Sequence, residues 1–387
     1  MVSKYYNAFN NLSQETKAGI VLIIATILAL VCSNTILHDL YSQLMHLSFR
    51  VQIGQAYLDK PLILWINDGL MSIFFFIIGL ELKREILEGH LKDLHSVMLP
   101  CAAAVGGIIV PVLFFSLITM NYPEYHKGWA IPMATDIAFV VGILSLFGKK
   151  VPIKFKLFIL TLAIMDDLAA ILVIAIFHAK DLSYTSMIIT ALCIAVLFFM
   201  HKIKVEKVAS YFAIGLILWL GVLKSGLHAT LSGVVLAMFI PLYSKDKKEP
   251  ILYNLETDLY PLVSFAIIPL FAFANAGVEL TNLTLNDIFS PLTLGVFFGL
   301  FLGKPIGISL FSFIYLSITQ STSPVSFKQI IIIGFFGGIG FIMSLFIAGL
   351  SFDISQNLLN ESRLGILSAT FASAIVGSIL LTKSLKK

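Results

Sequence analysis

Charged residues are scarce in this chain of 387 residues, since Asp, Glu, Lys and Arg make up 12% of it, against about 25% in a typical soluble domain. Apolar residues account for 58%, and the mean hydropathy is +0.95. This composition excludes a soluble globular domain and indicates a polytopic membrane protein. Cysteine is also rare. Cys32, Cys101 and Cys193 are odd in number and far apart, which argues against a disulfide framework and against a cysteine metal site.

Apolar runs of about the length that crosses a bilayer recur along the chain. We predict an all-α protein with twelve transmembrane helices in one integral membrane domain, residues 1–387. The runs lie near residues 18–36, 61–82, 95–119, 129–147, 153–178, 184–200, 208–222, 225–242, 259–278, 290–315, 328–350 and 362–382. Lys224 and Ser225 are predicted to form the turn between the seventh and eighth spans.

The basic residues predict the orientation of these spans. They are about three times as frequent in the segments that share a side with the two termini as in the other segments. Both termini are therefore predicted to be cytoplasmic. The first run has no cleavage site after it, so we expect it to remain as the first span.

One segment departs from the helical pattern. Ser48–Leu58 alternates apolar and polar residues around Gly54, which predicts a small β-hairpin near residues 48–58, on the outer side of the membrane. A two-stranded hairpin alone is marginally stable in water, and it would gain by adding its edge to a second copy. The alternatives left open are a surface loop and a homodimer interface.

Asp166 and Asp167 lie side by side in Leu160–Ala175, an apolar run long enough to cross a bilayer. One ionised Asp at the centre of a spanning helix costs about 2.5–3.5 kcal/mol. Acids at such positions usually mark ion or proton pathways. The alternative is that they pair with basic residues and only stabilise packing.

Two spans carry signals for an interrupted helix. In the fourth, Pro132 precedes Thr135 and Asp136 and removes a backbone donor. In the eleventh, Gly334–Ile347 holds a cluster of glycines that disfavours a straight helix, although close helix packing would also explain it. Spans 3–5 and 10–12 would then be inverted repeats with two crossed discontinuous helices, the pattern of a transporter site.

Lys304 is the remaining charge deep in a span, and it can pair with one of the aspartates or face the carboxyl ends of broken helices. Carboxylates and the hydroxyl of Thr135 offer the oxygen ligands that hard cations prefer. Burial and a neighbouring negative charge favour the protonated form of a carboxyl group. Oxygens that bind either protons or a cation, but not both, are the minimum needed for cation/proton exchange.

Further ionisable residues lie near the ends of spans. On the cytoplasmic side Glu81 and Glu256 are predicted either to attract cations and sense pH or to be ordinary interfacial charge. For Lys83 and Arg84 we predict ordinary interfacial charge.

Two residues lie toward the outer side. Asp68 could line the exit from the site. His228 is predicted to be a hydrogen-bonded packing residue rather than a switch.

The chain resembles the NhaA-type sodium/proton antiporters of bacterial inner membranes over about residues 10–383. The motifs that carry the resemblance are Asn67–Glu85, Trp129–Phe139, Ala163–Ile171, Leu223–Thr230, Pro269–Val278, Leu302–Phe311 and Gly337–Ala348.

The resemblance implies that Asp166 and Asp167 bind the transported Na⁺ or Li⁺ and the protons. Asp167 would be the main cation ligand and Asp166 the partner of Lys304. Thr135 and Asp136 would lie at the helix break.

For the rest of the chain the resemblance implies that Glu81 and Glu256 belong to a pH-responsive funnel, which the prediction extends to Asp68 and His228. A transport bundle of spans 3–5 and 10–12 would work beside an interface bundle formed by the remaining spans and the hairpin, residues 45–58. The hairpin would form a homodimer. Exchange of internal Na⁺ for external protons would be electrogenic and regulated by pH.

Other functions remain open at this point. A cation channel or a membrane pH sensor could use the same acids, and an anion or bile-acid-like symporter could share the fold with different ligands. The sequence indicates a transporter in a lipid bilayer rather than an enzyme, and we expect no cofactor and no nucleic-acid partner.

Overall fold

The computed structural model describes residues 12–53, 56–89, 92, 94–177, 183–246, 248–280, 284–353 and 355–386. The described chain is mostly helical and forms two compact units. The first unit comprises the described parts of 1–35, 93–170 and 275–387, and the second those of 36–92 and 171–274.

In the first unit the helices are α1 (Gln14–Ser33), α4 (Leu94–Thr119), α5 (Ile137–Leu146), most of α6 (Ile153–Phe177), α11 (Leu285–Ile288), α12 (Pro291–Phe298), α13 (Lys304–Thr319), α14 (Phe327–Gly337), α15 (Phe341–Ser351) and α16 (Gln356–Leu385). Two 3₁₀ turns, Pro123–Gly128 and Ile131–Met133, precede α5, and a π-helical turn, Gly299–Gly303, joins α12 to α13.

In the second unit the elements are α2 (His38–His46), β1 (Ser48–Ile53), β2 (Ala56–Pro61), α3 (Leu62–Leu87), α7 (Tyr184–Lys202), α8 (Val208–Ser225), α9 (Leu231–Phe239) and α10 (Ile251–Asn275). Its core contains Phe76, Leu197, Tyr211, Leu218 and Leu236, all of them buried.

Nine helices among the described residues are long and apolar enough to cross a membrane, and the count is eleven if each of two bent pairs is one span. Large apolar side chains such as Leu192 and Phe199 are exposed on them, each by 61%. A soluble protein rarely exposes apolar surface on this scale. The structure is therefore that of a multi-pass membrane protein.

Among the described residues the number of candidate membrane spans stays below the predicted twelve, because the helix in the eighth apolar run is short. α9 has nine residues, about 13 Å at 1.5 Å per residue, which is less than half of a hydrocarbon core of about 30 Å. The predicted turn at Lys224 and Ser225 is also wrong by one or two residues. Both belong to α8, which ends at Ser225 and is capped by Gly226, whose φ of 88° lies in the left-handed region that glycine favours.

The hairpin prediction is confirmed for the described residues. β1 and β2 pair antiparallel from Ser48 opposite Pro61 to Ile53 opposite Ala56, so the second strand runs three residues beyond the predicted end at Leu58. Gly54, on which the predicted turn was centred, lies outside the described residues.

Helix α1 belongs to the first unit. Gly19 of α1 lies against Gly142 of α5, so closely that a Cβ on Gly19 would be 3.0 Å from the Gly142 Cα. The hydroxyls of Thr16 and Ser145 lie 2.7 Å apart at the same contact. The absence of two side chains thus allows α1 to pack directly on α5.

Candidate functional site

Two helix breaks meet inside the first unit. The chain bends by 44° between Pro123–Met133 and α5, and by 46° between α14 and α15. The Asp136 N–H at the first break donates to the Ile339 carbonyl at the second, over 2.7 Å. The interruptions predicted around Pro132 and in the glycine cluster both fall in these bent pairs.

Asp136 caps two helices at once. Its Oδ1 accepts from the Phe139 N–H of α5 at 3.0 Å, and its Oδ2 accepts from the Ile342 N–H of α15 at 3.0 Å. Helix amino ends carry partial positive charge and orphan N–H groups. One carboxylate, 3% exposed, therefore compensates the amino ends of both half-helices.

Lys304, Asp166 and Thr135 form a cluster that is closed to solvent, with each residue 0% exposed. Lys304 Nζ lies 2.5 Å from Asp166 Oδ2 and 3.0 Å from Thr135 Oγ1. Thr135 Oγ1 is 2.6 Å from Asp166 Oδ2 and 2.8 Å from the Gly337 carbonyl. A hydroxyl carries one proton, so Thr135 donates to either the carboxylate or the carbonyl while it accepts from the ammonium.

Backbone geometry positions this cluster. Thr135 lies in the break before α5, and Gly337 is the last residue of α14, whose carboxyl end carries partial negative charge. Lys304 follows directly on a π-helical turn, a local irregularity that is frequent at functional sites. The ammonium thus contacts both the Asp166 carboxylate and the Thr135 hydroxyl in the break of the first bent pair.

Asp167 is the neighbour of Asp166 on α6 and is 2% exposed. Its negative charge acts on Lys304 together with that of Asp166. Adjacent helical residues point about 100° apart, so the two carboxylates belong to one charged centre without sharing one direction. Asp166 Oδ1 accepts no hydrogen bond from the described residues.

A second set of charges lies in the second unit. Arg84 donates to both carboxylate oxygens of Glu256, over 2.9 and 3.3 Å, and its Nη1 is 2.9 Å from Glu85 Oε1. The charges of Arg84, Glu85 and Glu256 also act on Glu81. The predicted pair of acids, Glu81 and Glu256, is therefore part of a four-residue network with a cation at its centre.

The prediction that Lys83 and Arg84 are ordinary interfacial charges is wrong. Lys83 is 8% exposed, and its ammonium donates to the carbonyls of Met238 and Ile240 over 2.7 and 2.6 Å. Arg84 is the cation of the acidic network. The pattern missed them because hydropathy places a residue near a membrane surface without saying what covers it.

The other two predicted residues lie apart from this network. Asp68 pairs with Lys60 of β2 over 2.6 Å, and its backbone carbonyl accepts from the Trp219 indole at 3.1 Å. His228 is half-buried between α8 and α9, and its carbonyl accepts from the Leu231 N–H.

Among the described residues no group of three or more His, Cys, Asp or Glu side chains could hold a resident metal ion. The first unit instead offers a mixed set of oxygens: the carboxylates of Asp166 and Asp167, the hydroxyl of Thr135 and the Gly337 carbonyl. Oxygen ligands of this kind suit a hard cation that is bound and released.

The fold and this site define a multi-pass membrane protein with an ionisable centre, closed to solvent, where two broken helices meet. Comparison with known proteins gives the family. A family model described as "Na+/H+ antiporter 1" matches residues 10–381. The chain belongs to the NhaA family of sodium/proton antiporters.

Three relatives illustrate the similarity. The Na(+)/H(+) antiporter NhaA of Haemophilus ducreyi is 47% identical over 383 residues, 97% of this chain and 96% of the relative. The Na(+)/H(+) antiporter NhaA 1 of Syntrophotalea carbinolica is 48% identical over 379 residues, with the same coverage of both chains. The Na(+)/H(+) antiporter NhaA of Campylobacter concisus is 46% identical over 378 residues, 97% of this chain and 92% of the relative.

Proposed function

We propose that this protein extrudes cytoplasmic Na⁺, or Li⁺, in exchange for external protons, at a site formed by Asp166 and Asp167. The observation that carries the proposal is the closed cluster of Lys304, Asp166 and Thr135 next to Asp167. Family membership supports the reaction, and the cluster supports the residues. It combines oxygens for a cation with groups that exchange protons.

Competition for the same oxygens couples the two ions. Asp167 is the principal cation ligand, and Asp166 holds a proton or Lys304 in the absence of Na⁺. When Na⁺ binds, its charge replaces the proton or the ammonium, because both together would place excess positive charge in a low-dielectric site. Two protons carried for each Na⁺ make the exchange electrogenic, so that the proton gradient and the membrane potential both drive it.

Thr135 and Asp136 support the site in different ways. Thr135 contributes a hydroxyl oxygen that already contacts Asp166 and Lys304. Asp136 neutralises two helix amino ends, which would otherwise repel a cation nearby. The metal is thus a transported substrate, held by Asp166 and Asp167, rather than a structural ion.

The proposed architecture has twelve spans, with α9 as a short eighth span. Spans 3–5 and 10–12 are inverted repeats and form the transport bundle, and the two bent pairs are its crossed discontinuous helices. The contact of Asp136 with both breaks supports this arrangement. The remaining spans and the hairpin, residues 45–58, form the interface bundle, and transport proceeds by alternating access.

Regulation and assembly are assigned to the second unit. Glu81 and Glu256, joined through Arg84, respond to cytoplasmic pH, with Asp68 and His228 as secondary members toward the outer side. The hairpin joins two copies as a homodimer. The protein resides in the bacterial inner membrane with both termini in the cytoplasm, as its distribution of basic residues supports.

The test is Na⁺-dependent proton movement in proteoliposomes that carry an imposed pH gradient. We expect Na⁺ or Li⁺, but not K⁺, to dissipate the gradient, and valinomycin with K⁺ to accelerate the exchange because it is electrogenic. Sodium flux without proton movement would identify a channel and contradict the proposal. Proton-dependent conformational change without flux of either ion would identify a pH sensor.

A matched pair of variants assigns the site. Asp167→Asn is expected to abolish exchange. Asp39→Asn makes the same chemical change at a side chain that is 91% exposed, and it is expected to leave exchange unchanged. Exchange that survives in Asp167→Asn would refute the assignment of the ligand without refuting antiport.

A further inference from the structure

Lys83 holds the carboxyl end of a short helix. Its ammonium donates to the Met238 carbonyl in the last turn of α9 and to the Ile240 carbonyl just beyond it. The last four carbonyls of a helix lack intrahelical partners, and a buried ammonium needs compensation. The side chain and the helix end therefore satisfy each other.

The sequence at the end of α9 explains why its last carbonyl groups need donors from side chains. Pro241 follows Ile240 and has no N–H to donate. The Ile240 N–H turns back to the Ala237 carbonyl, and the imidazole of His201 lies 2.9 Å from the Phe239 carbonyl. Three successive carbonyls, from Met238 to Ile240, thus take their donors from side chains of other helices.

Close packing makes the contact of Lys83 rigid. One turn before Lys83, a Cβ on Gly79 would lie 2.7 Å from the Ala237 Cβ and 3.2 Å from the Val234 Cα. A Cβ on Gly233 of α9 would lie 2.9 Å from the Phe76 N atom of α3. The two glycines allow α3 and α9 to pack closely along their length. Lys83 adds hydrogen bonds at the carboxyl end of α9.

The turn of α3 that carries Lys83 also carries the acidic network. Arg84 follows Lys83 directly and binds Glu256 and Glu85. The ionisable groups that surround this turn are, on α3, Glu81, Arg84, Glu85 and Glu88, and, on the elements around it, His201, Tyr243 and Glu256. A shift of the turn would move Arg84 relative to Glu256.

We propose that Lys83 is a positioning residue for the pH response of the antiporter. Lys83 fixes its own turn of α3 to the carboxyl end of α9, and this keeps the Arg84 guanidinium in its bidentate contact with Glu256. This inference rests on the proposed function, since it assigns the pH response to that network. Without Lys83 the guanidinium leaves Glu256, and the carboxylates of the network lose the positive charge that compensates them. Exchange then switches on at a higher pH.

The experiment measures Na⁺/proton exchange against pH in proteoliposomes of the full-length protein. Lys83→Met is expected to move the midpoint of activation up by about half a pH unit or more, with a maximal rate close to that of the wild type. Lys83→Arg keeps a cationic donor and is expected to restore the midpoint. Lys202→Met removes an exposed lysine at the end of α7 and serves as the matched control, with no expected shift.

A second series shows whether Lys83 acts through Arg84. Arg84→Gln should shift the midpoint upward, and Lys83→Met added to Arg84→Gln should shift it no further. Additive shifts would mean that Lys83 acts by another route and would overturn the proposal. Lys83→Gln keeps an amide N–H donor group without the charge, and it provides a milder variant with a smaller expected shift.

The outcomes separate the inference from the function on which it rests. A wild-type protein without exchange contradicts the proposed function itself. Folded Lys83→Met or Lys83→Gln protein with the wild-type midpoint overturns the role of Lys83 alone. If both variants lose folded protein while Lys83→Arg does not, Lys83 is structural only, and the positioning role is again overturned.

Discussion

Lys304 Nζ and Asp166 Oδ2 lie 2.5 Å apart, and neither side chain is exposed to solvent. Removing one partner of a buried ion pair typically costs about 3–5 kcal/mol, because it leaves the other charge without compensation. Each of the two buried charges is therefore stabilised only while its partner is present. In the proposed mechanism a transported cation displaces the ammonium from Asp166, where Thr135 provides a further oxygen and Asp167 a further negative charge.

The first prediction concerns the stability of this ion pair. Lys304→Gln should lower the melting temperature of the detergent-solubilised protein substantially, because the Asp166 carboxylate loses its counter-charge. Lys304→Gln combined with Asp166→Asn should recover much of the loss, since no unpaired charge remains. Thermal unfolding checks it, with Lys202→Gln as the exposed control. A double variant no more stable than Lys304→Gln would contradict the pairing as the cause.

Exchange by the Lys304 variants distinguishes two roles for the lysine. Residual electrogenic exchange in Lys304→Gln identifies a structural counter-charge. Exchange that continues without charge movement identifies Lys304 as a carrier of one of the two protons.

The second prediction concerns the Thr135 hydroxyl. Thr135→Val should raise the Na⁺ concentration for half-maximal exchange by about tenfold, equivalent to about 1.4 kcal/mol, since one oxygen ligand is lost. Thr135→Ser should restore the wild-type value. Thr119→Val is the matched control, because Thr119 is equally buried and its hydroxyl bonds to Phe115 of its own helix. A Thr135→Val protein with unchanged Na⁺ dependence would show that the hydroxyl is not a ligand.

The third prediction uses the two caps made by Asp136. Asp136→Ala removes acceptors from both α5 and α15 and should cost about 2 kcal/mol of unfolding free energy, at about 1 kcal/mol per cap. Asp136→Asn keeps one oxygen acceptor and should cost about half as much. Ser326→Ala removes the one capping hydrogen bond that the Ser326 side chain accepts in α14 and gives the reference for one cap. Equal effects of Asp136→Ala and Ser326→Ala would contradict the double cap.

The fourth prediction concerns the glycines of the second break. A Cβ at Gly338 would lie 2.6 Å from the Leu300 carbonyl oxygen and 2.7 Å from Ser373 Oγ. Gly338→Ala should therefore destabilise the protein by about 1–3 kcal/mol, the usual cost of overpacking. Gly349 in α15 has nothing within 4 Å of its would-be Cβ, so Gly349→Ala is the control. Similar melting temperatures for the two variants would contradict the packing.

Local signals in the sequence predicted some of these features well. Pro132 and the glycines from Gly334 onward mark helix breaks because they act on their own turn of the backbone. The alternation of apolar and polar residues in Ser48–Leu58 predicts the hairpin because it, too, is a pattern of residues close together in the chain. The membrane class follows from composition alone, and the deep charges Asp166 and Lys304 stand out because so few others lie in the spans.

Other features depend on contacts that no local pattern encodes. That Asp136 caps α15 as well as α5 depends on two breaks about 200 residues apart in the chain meeting in space. The shortness of α9 was hidden because Leu231–Phe239 lies in a longer apolar run. The burial of Lys83 follows from that short helix, whose end it compensates. Span counting by hydropathy therefore misses both.

The most direct test of the central claim is proton release when Na⁺ binds to the purified protein. If protons and Na⁺ compete for the carboxylates of Asp166 and Asp167, adding Na⁺ in weakly buffered solution should release protons. The release should saturate with Na⁺, approach two per site at a pH where both carriers begin protonated, and vanish in Asp167→Asn. Sodium binding without proton release, or equal release from wild type and Asp167→Asn, would contradict it.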